Sequence, residues 1–143
     1  MQDSIVRVLV VDDYELFRTF LCATLQARTM FEVVGVASDG VEAVQLALML
    51  KPDLILLDLG LPKLNGIEAA HRILAMVPTA KILFISQMND PDVVAAALDS
   101  GGKGYVYKQN ANTELLPAIE AVLEGEGYLS VALCADKESS LST

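Results

Sequence analysis

The run Pro52-Asp53-Leu54-Ile55-Leu56-Leu57-Asp58-Leu59-Gly60-Leu61-Pro62 decides the fold. Leu54 to Leu57 are consecutive apolar residues with no polar alternation, so a strand here must be buried on both faces, as in a parallel sheet sandwiched by helices. Val8-Leu9-Val10-Val11 repeats the pattern. Working outward, runs rich in Val, Ile and Leu fall at Ile5–Val11, Phe31–Val36, Leu54–Leu57, Lys81–Ile85 and Gly104–Tyr107, with helical periodicity between them. Strand and helix alternate five times, which predicts an α/β fold: a doubly wound, five-stranded parallel sheet.

The helices are placed by their apolar faces. Phe17, Phe20, Leu21 and Leu25 mark the first, Val41, Val44 and Leu48 the second, and Ile67, Ala70 and Leu74 the third. Val93, Val94, Ala97 and Leu98 mark the fourth, closed by Gly101-Gly102; Leu115, Leu116, Ile119, Val122 and Leu123 mark the fifth, closed by Gly125. Pro52 and Pro78 punctuate the returns to strands. The organisation is one domain over residues 1–126 and a tail or partial linker over 127–143, with a polar Asp136–Thr143 end expected to fray.

Bulk properties narrow the function classes. A chain of 143 residues, 53% hydrophobic and 20% charged, has room for one well-filled core and no second domain of useful size. The net charge is −9 and no Lys or Arg run offers the footprint that binding a phosphate backbone requires, so this chain alone is not expected to bind nucleic acid. The longest apolar stretches are strand-sized, below the roughly 20 residues of a membrane helix. Met1 to Ser4 lacks a basic signal-peptide start. The expectation is a cytosolic (cytoplasmic) protein with no membrane association. Cys22 and Cys134 lack metal-ligand spacing and suggest reduced thiols, and His71 reads as a solvated helix residue.

In an open parallel sheet, ligands bind beyond the carboxyl ends of the strands, so the residues that follow each apolar run are the informative ones. Asp12 and Asp13 follow the first strand, Asp58 the third, Ser86 the fourth and Lys108 the fifth. Crowded carboxylates repel one another and lose hydration unless positive charge lies among them. Magnesium answers that need with oxygen ligands, and Asp13 and Asp58 suit it, while Lys108 adds a movable charge. A phosphoryl group on an Asp oxygen would be neutralised by metal and Lys108 and could accept a hydrogen bond from Ser86. Singly, each residue has a plainer reading: Asp12 or Asp13 as a helix cap, Asp58 as a turn carboxylate, Ser86 and Lys108 as loop polarity. Their joint placement after strands of one sheet favours an acyl-phosphate site.

The motifs Val10-Val11-Asp12-Asp13, Leu56-Leu57-Asp58-Leu59-Gly60-Leu61-Pro62, Asn65-Gly66, Ile85-Ser86 and Gly104-Tyr105-Val106-Tyr107-Lys108 resemble those of the response-regulator receiver family of two-component signal transduction. The resemblance runs from about Ile5 to Glu124. It implies a flavodoxin-like (CheY-like) (βα)5 fold with strand order 2-1-3-4-5. It also implies that Asp58 is the phosphoacceptor, that Asp13 binds Mg2+ directly and Asp12 largely through water, and that the Gly60 carbonyl adds a ligand. Ser86 matches the hydroxyl that follows the phosphoryl group, Tyr105 the aromatic that fills the space vacated, and Lys108 the phosphate-binding lysine. Tyr107 matches nothing of that kind and reads as a packing residue. The implied partner is a sensor histidine kinase or phosphotransfer protein, with homodimer formation on phosphorylation left open. The implied role is a switch of partner binding and not an enzyme, limited to self-phosphorylation from small phosphodonors and slow autodephosphorylation.

Departures from the family pattern carry information too. Gln109 replaces the common proline, as in the NarL-like subgroup that Leu115-Leu116-Pro117-Ala118-Ile119 and Gly127-Tyr128-Leu129-Ser130 also resemble. There a linker and DNA-binding helix-turn-helix follow, so the chain reads either as a single-domain receiver or as the regulatory half of a transcription factor. Two positions beyond Asp58 and Ser86 stand Gly60, which has no side chain, and Met88, whose side chain is apolar; neither orients a water, which predicts slow self-dephosphorylation. An aspartate-nucleophile phosphohydrolase needs a second Asp two residues after the first, and Leu59-Gly60-Leu61 has none. A pseudo-receiver that is never phosphorylated is the other alternative, and the intact acidic set argues against it.

Overall fold

The computed structural model describes residues 4–130 and residue 133. Along them run β1 (Val6–Val11), α1 (Glu15–Gln26), β2 (Phe31–Ala37), α2 (Gly40–Leu50), β3 (Leu54–Leu57), α3 (Gly66–Met76), β4 (Lys81–Ser86), α4 (Pro91–Asp99), β5 (Gly104–Tyr107), a 3-10 turn (Lys108–Asn110), α5 (Ala111–Leu123) and β6 (Tyr128–Leu129). The strands pair in parallel in the order β2-β1-β3-β4-β5-β6.

Strand periodicity divides the core in two. Leu9, Val11, Ile55, Leu57, Ile82, Phe84 and Tyr105 meet α2, α3 and α4 through Ala43, Ala47, Ala70, Ile73, Val94 and Ala97. Their alternates Val8, Val10, Leu54, Leu56, Leu83, Ile85 and Val106 meet α1 and α5 through Leu21, Leu25, Leu115, Ala118, Ile119 and Val122. Leu54 to Leu57 are all fully buried, as a strand with helices on both faces must be. The first crossover goes one way along the sheet and the next three return the other way, so α1 lies on the face opposite α2, α3 and α4. Between β1 and β3 this reversal opens the crevice where ligands bind in such sheets.

Two features differ from the sequence expectation. The sheet has a sixth strand among the described residues, formed by Tyr128 and Leu129 past the expected boundary at residue 126. α5 lies on the face opposite α3 and α4 although β6 extends the sheet in the same direction, so this last crossover has the rarer hand. A two-residue strand has too little apolar pattern to stand out in a sequence. The second difference is α2. Val41 and Leu48, expected inward, face solvent, Val44 is only half-buried, and Ala43 and Ala47 take the core positions. The segment Gly40–Leu50 is apolar nearly all round, so periodicity does not single out a face. Small alanines win because they let the helix lie close to the sheet.

Among the described residues no helix is long and apolar enough to cross a membrane. Cys22 is a free, half-buried thiol on α1, its pKa raised by burial against the opposing Arg18 charge. Cys134 and the polar Asp136–Thr143 segment lie outside the described residues.

Candidate functional site

The main chain fixes where the acidic side chains start. The Asp12 amide donates to the Ala37 carbonyl at 3.1 Å, and the Asp58 amide donates to the Val11 carbonyl at 3.1 Å, so each residue is pinned to the neighbouring strand. Gly66 presses against the same turn: a Cβ there would lie 2.2 Å from the Asp58 carbonyl oxygen and 2.8 Å from Leu59 Cα. Only glycine permits that approach, which accounts for Gly66 in the Asn65-Gly66 pair, while the Asn65 side chain caps α3 by accepting from the Glu68 amide at 2.9 Å.

Asp12, Asp13 and Asp58 each offer an oxygen within 4.8 Å of the others. Asp12 and Asp58 are buried and Asp13 stands exposed at the rim. Neither Asp12 nor Asp13 is the N-cap of α1; that position is Tyr14, whose amide donates to Asp12 Oδ1 at 2.8 Å. Lys108 enters from the turn after β5. Its Nζ lies 2.7 Å from Asp12 Oδ2, 3.4 Å from Asp58 Oδ2 and 4.6 Å from the centroid of the Phe17 ring. One ammonium therefore pairs with two of the three carboxylates, and oxygen donors so close together suit a hard divalent cation.

Burial raises the Asp58 carboxyl above the usual carboxylate range; the neighbouring Asp12 charge raises it further, and Lys108 and the Leu59 amide, 2.8 Å from Asp58 Oδ1, oppose the rise. A cleft of about 290 Å³ opens over this carboxylate, lined by Asp13, Tyr14, Gly60, Ser86, Gln87, Met88 and Lys108. It is large enough for a phosphoryl group with its accompanying water.

The expected site residues therefore converge. Asp13, Asp58, Gly60, Ser86 and Lys108 line one cleft, with Asp12 buried beneath it. Ser86 is the last residue of β4, buried, and its Oγ accepts from the Met88 amide at 3.2 Å. Tyr105 points inward and is fully buried, its hydroxyl donating to the Met88 carbonyl at 2.7 Å. Burial raises the Tyr105 phenol, a hydrogen bond with Ser86 opposes this, and the Asp58 charge adds to the rise. Tyr107 stands half-buried with its amide donating to Ser130 Oγ at 2.8 Å.

Sequence reasoning missed Tyr14 and Gln87 in the cleft wall, and Phe17 and Arg18 behind it. Arg18 Nη1 donates to the Asp12 carbonyl at 2.7 Å, tying the first turns of α1 to the acidic loop. The available signal was their spacing, since residues five and six beyond Asp12 fall in the opening turns of a helix that starts at Glu15.

Comparison with known proteins finds matches along most of the chain. The family model described as the response regulator receiver domain matches residues 8–120. The transcriptional regulatory protein LiaR of Bacillus subtilis (strain 168) is 40% identical over 124 residues, which cover 87% of this chain and 59% of LiaR. The transcriptional regulatory protein DegU of Brevibacillus brevis is 33% identical over 129 residues, 90% of this chain and 55% of DegU. The chain thus spans a little over half the length of these curated relatives. Among solved structures, a two-component response regulator of the LuxR family from Aurantimonas sp. SI85-9A1 superposes with a TM-score of 0.91 at 31% identity, covering 98% of this chain and 100% of that one. The receiver domain of a NarL response regulator from Mycobacterium tuberculosis gives 0.81 at 32% identity, covering 86% of this chain and 99% of that one.

Proposed function

Because the chain belongs to the response-regulator receiver family, in its NarL/LuxR-type branch, we propose that it accepts a phosphoryl group from the phosphohistidine of a sensor kinase or phosphotransfer protein on Asp58. The observation that carries this reading is Lys108 Nζ lying within reach of both Asp12 and Asp58 at the floor of an open acidic cleft. Asp12, Asp13 and Asp58, with the Gly60 carbonyl, would hold Mg2+, which when bound neutralises charge on the transferring phosphoryl oxygens. In the step itself, one Asp58 oxygen forms a bond to phosphorus as the P–N bond to the donor imidazole breaks, and the electron pair leaves with the imidazole. Lys108 moves from Asp12 toward the new phosphoryl oxygens, and the Ser86 hydroxyl donates to one of them.

The Met88 amide donates to Ser86 Oγ and its carbonyl accepts from the Tyr105 hydroxyl, so movement of Ser86 changes the packing of Tyr105 and with it the face made by α4, β5 and α5. That face is the proposed output surface, and a homodimer is one partner state it admits. Two relatives are named as transcriptional regulators, which supports a role for this chain as the regulatory domain of such a protein and not as an enzyme. We place it in the cytoplasm on the same ground.

The test is intact mass after incubation with Mg2+ and acetyl phosphate, comparing the parent with Asp58→Ala. A magnesium-dependent phosphoryl adduct in the parent alone is expected. No adduct, with a phosphohistidine donor as well, would make the chain a pseudo-receiver. Steady release of phosphate from small esters would instead revive the phosphohydrolase reading.

A further inference from the structure

The Lys108 side chain is only 10% exposed, its remaining exposure being to the cleft it helps to line. An ammonium carries three N–H donors, and a desolvated one is costly unless its surroundings replace the lost hydration. Two replacements are oxygens, Asp12 Oδ2 at 2.7 Å and Asp58 Oδ2 at 3.4 Å. The third is the Phe17 ring, with its centroid 4.6 Å from Nζ. The ring packs against Phe20, whose centroid lies 5.5 Å away at a 38° tilt, and the Arg18 tie to the Asp12 carbonyl anchors the turn of α1 that carries it.

We infer that Phe17 is a positioning residue for phosphoryl transfer, its ring face holding the Lys108 ammonium while that group exchanges Asp12 for the phosphoryl oxygens on Asp58. The inference rests on the phosphoryl-acceptor reading above. Its physical basis is the kind of attraction an aromatic face supplies. The ring quadrupole attracts a cation without directing a hydrogen bond, so it keeps Lys108 close to the site without fixing which oxygens its N–H groups address. A carboxylate in the same place would lock the lysine; an aliphatic side chain would leave that side of the charge uncompensated. Phe17 serves both states because Nζ has to travel only between Asp12 and Asp58, over one ring.

The test separates the ring's charge distribution from its shape. Phenylalanines with one to five ring fluorines are placed at position 17 of the full chain, keeping size nearly constant while weakening and then reversing the quadrupole. The rate of magnesium-dependent adduct formation from acetyl phosphate is expected to fall step by step, by about 3- to 30-fold in total, with Phe17→Tyr close to the parent. In protein labelled at lysine, the Lys108 ε-methylene protons should carry an upfield ring-current shift that Phe17→Leu removes. Rates that ignore fluorination, even if Phe17→Leu slows the reaction, would reduce Phe17 to a packing residue and overturn the inference. An unshifted Lys108 methylene would also overturn it. Absence of any adduct in the parent would strike the phosphoryl-acceptor reading itself, and the ring-current shift would tell that failure apart from a lysine that never sits on the ring.

Discussion

The two ends of the parallel sheet use charge in opposite ways. At the amino ends of the strands two cations, Arg7 and Lys81, have settled structural partners. Arg7 Nη1 donates to the Lys51 carbonyl at 3.0 Å, at the C-terminus of α2, while Asp53 Oδ2 accepts from the Arg7 amide at 2.9 Å. Lys81 Nζ reaches the Val122 and Leu123 carbonyls at 3.5 and 3.3 Å, at the C-terminus of α5. Both cations sit where helix dipoles present negative charge. At the carboxyl ends, Asp12, Asp13 and Asp58 crowd together with Lys108 pairing to two of them, and Asp58 is held above its usual range. At one end these two cations are met by helix carbonyls and serve the fold. The other keeps an unmet demand for positive charge, which is the property a cation and phosphoryl site requires.

Breaking the acidic end should have the largest effect. Lys108→Met is expected to slow adduct formation from acetyl phosphate by about 100-fold, read by intact mass over time, because the mobile charge that meets the phosphoryl oxygens is gone. A variant as fast as the parent would remove Lys108 from the mechanism. Next, Met88→Glu should shorten the life of the phosphoryl group by about 10-fold, followed by loss of the adduct after donor removal, since a carboxylate at the cleft wall can orient the attacking water. Unchanged decay would show that Met88 does not limit hydrolysis.

Asp58→Asn sharpens the contrast through stability. The folded-state pKa of Asp58 is raised, so its contribution to stability is fully present only below the unfolded value and is lost as pH rises through the folded value. The parent therefore carries a cost at neutral pH that Asn does not. The variant should unfold later in urea by on the order of 1 kcal/mol at pH 7, with the gap closing as the medium is acidified below the ordinary carboxylate range. A less stable variant at pH 7 would mean that the Lys108 contact outweighs burial. The smallest effect is expected at the other end: Lys81→Met should lower stability by about 0.5–1 kcal/mol through loss of the α5 carbonyl contacts and leave phosphorylation rates untouched.

Much of this was legible in the chain itself. The all-apolar strands are buried on both faces, and Asp12, Asp13, Asp58, Ser86 and Lys108 converge because each follows a strand of one parallel sheet. The less legible parts share a cause. Val41 and Leu48 looked like a core face because α2 is apolar all round, and the choice of Ala43 and Ala47 depends on how closely the helix can approach the sheet. β6 depends on Ser130 as much as on its own two residues: the Ser130 amide donates to the Tyr105 carbonyl at 3.0 Å, and its Oγ accepts from the Tyr107 amide and donates to Glu114. None of those contacts leaves a periodic trace.

By itself the sequence determined the order of elements, the parallel sheet and the acidic edge, because hydrophobic period and the position of polar residues relative to strand ends are properties of the chain read locally. Only the tertiary structure decided that Lys108 bonds Asp12 more closely than Asp58, that it rests on Phe17, and that Tyr105 lies inward with its hydroxyl on the Met88 carbonyl. Those are choices among partners far apart in the chain, and they are settled by ångström-scale packing between elements that no local pattern encodes.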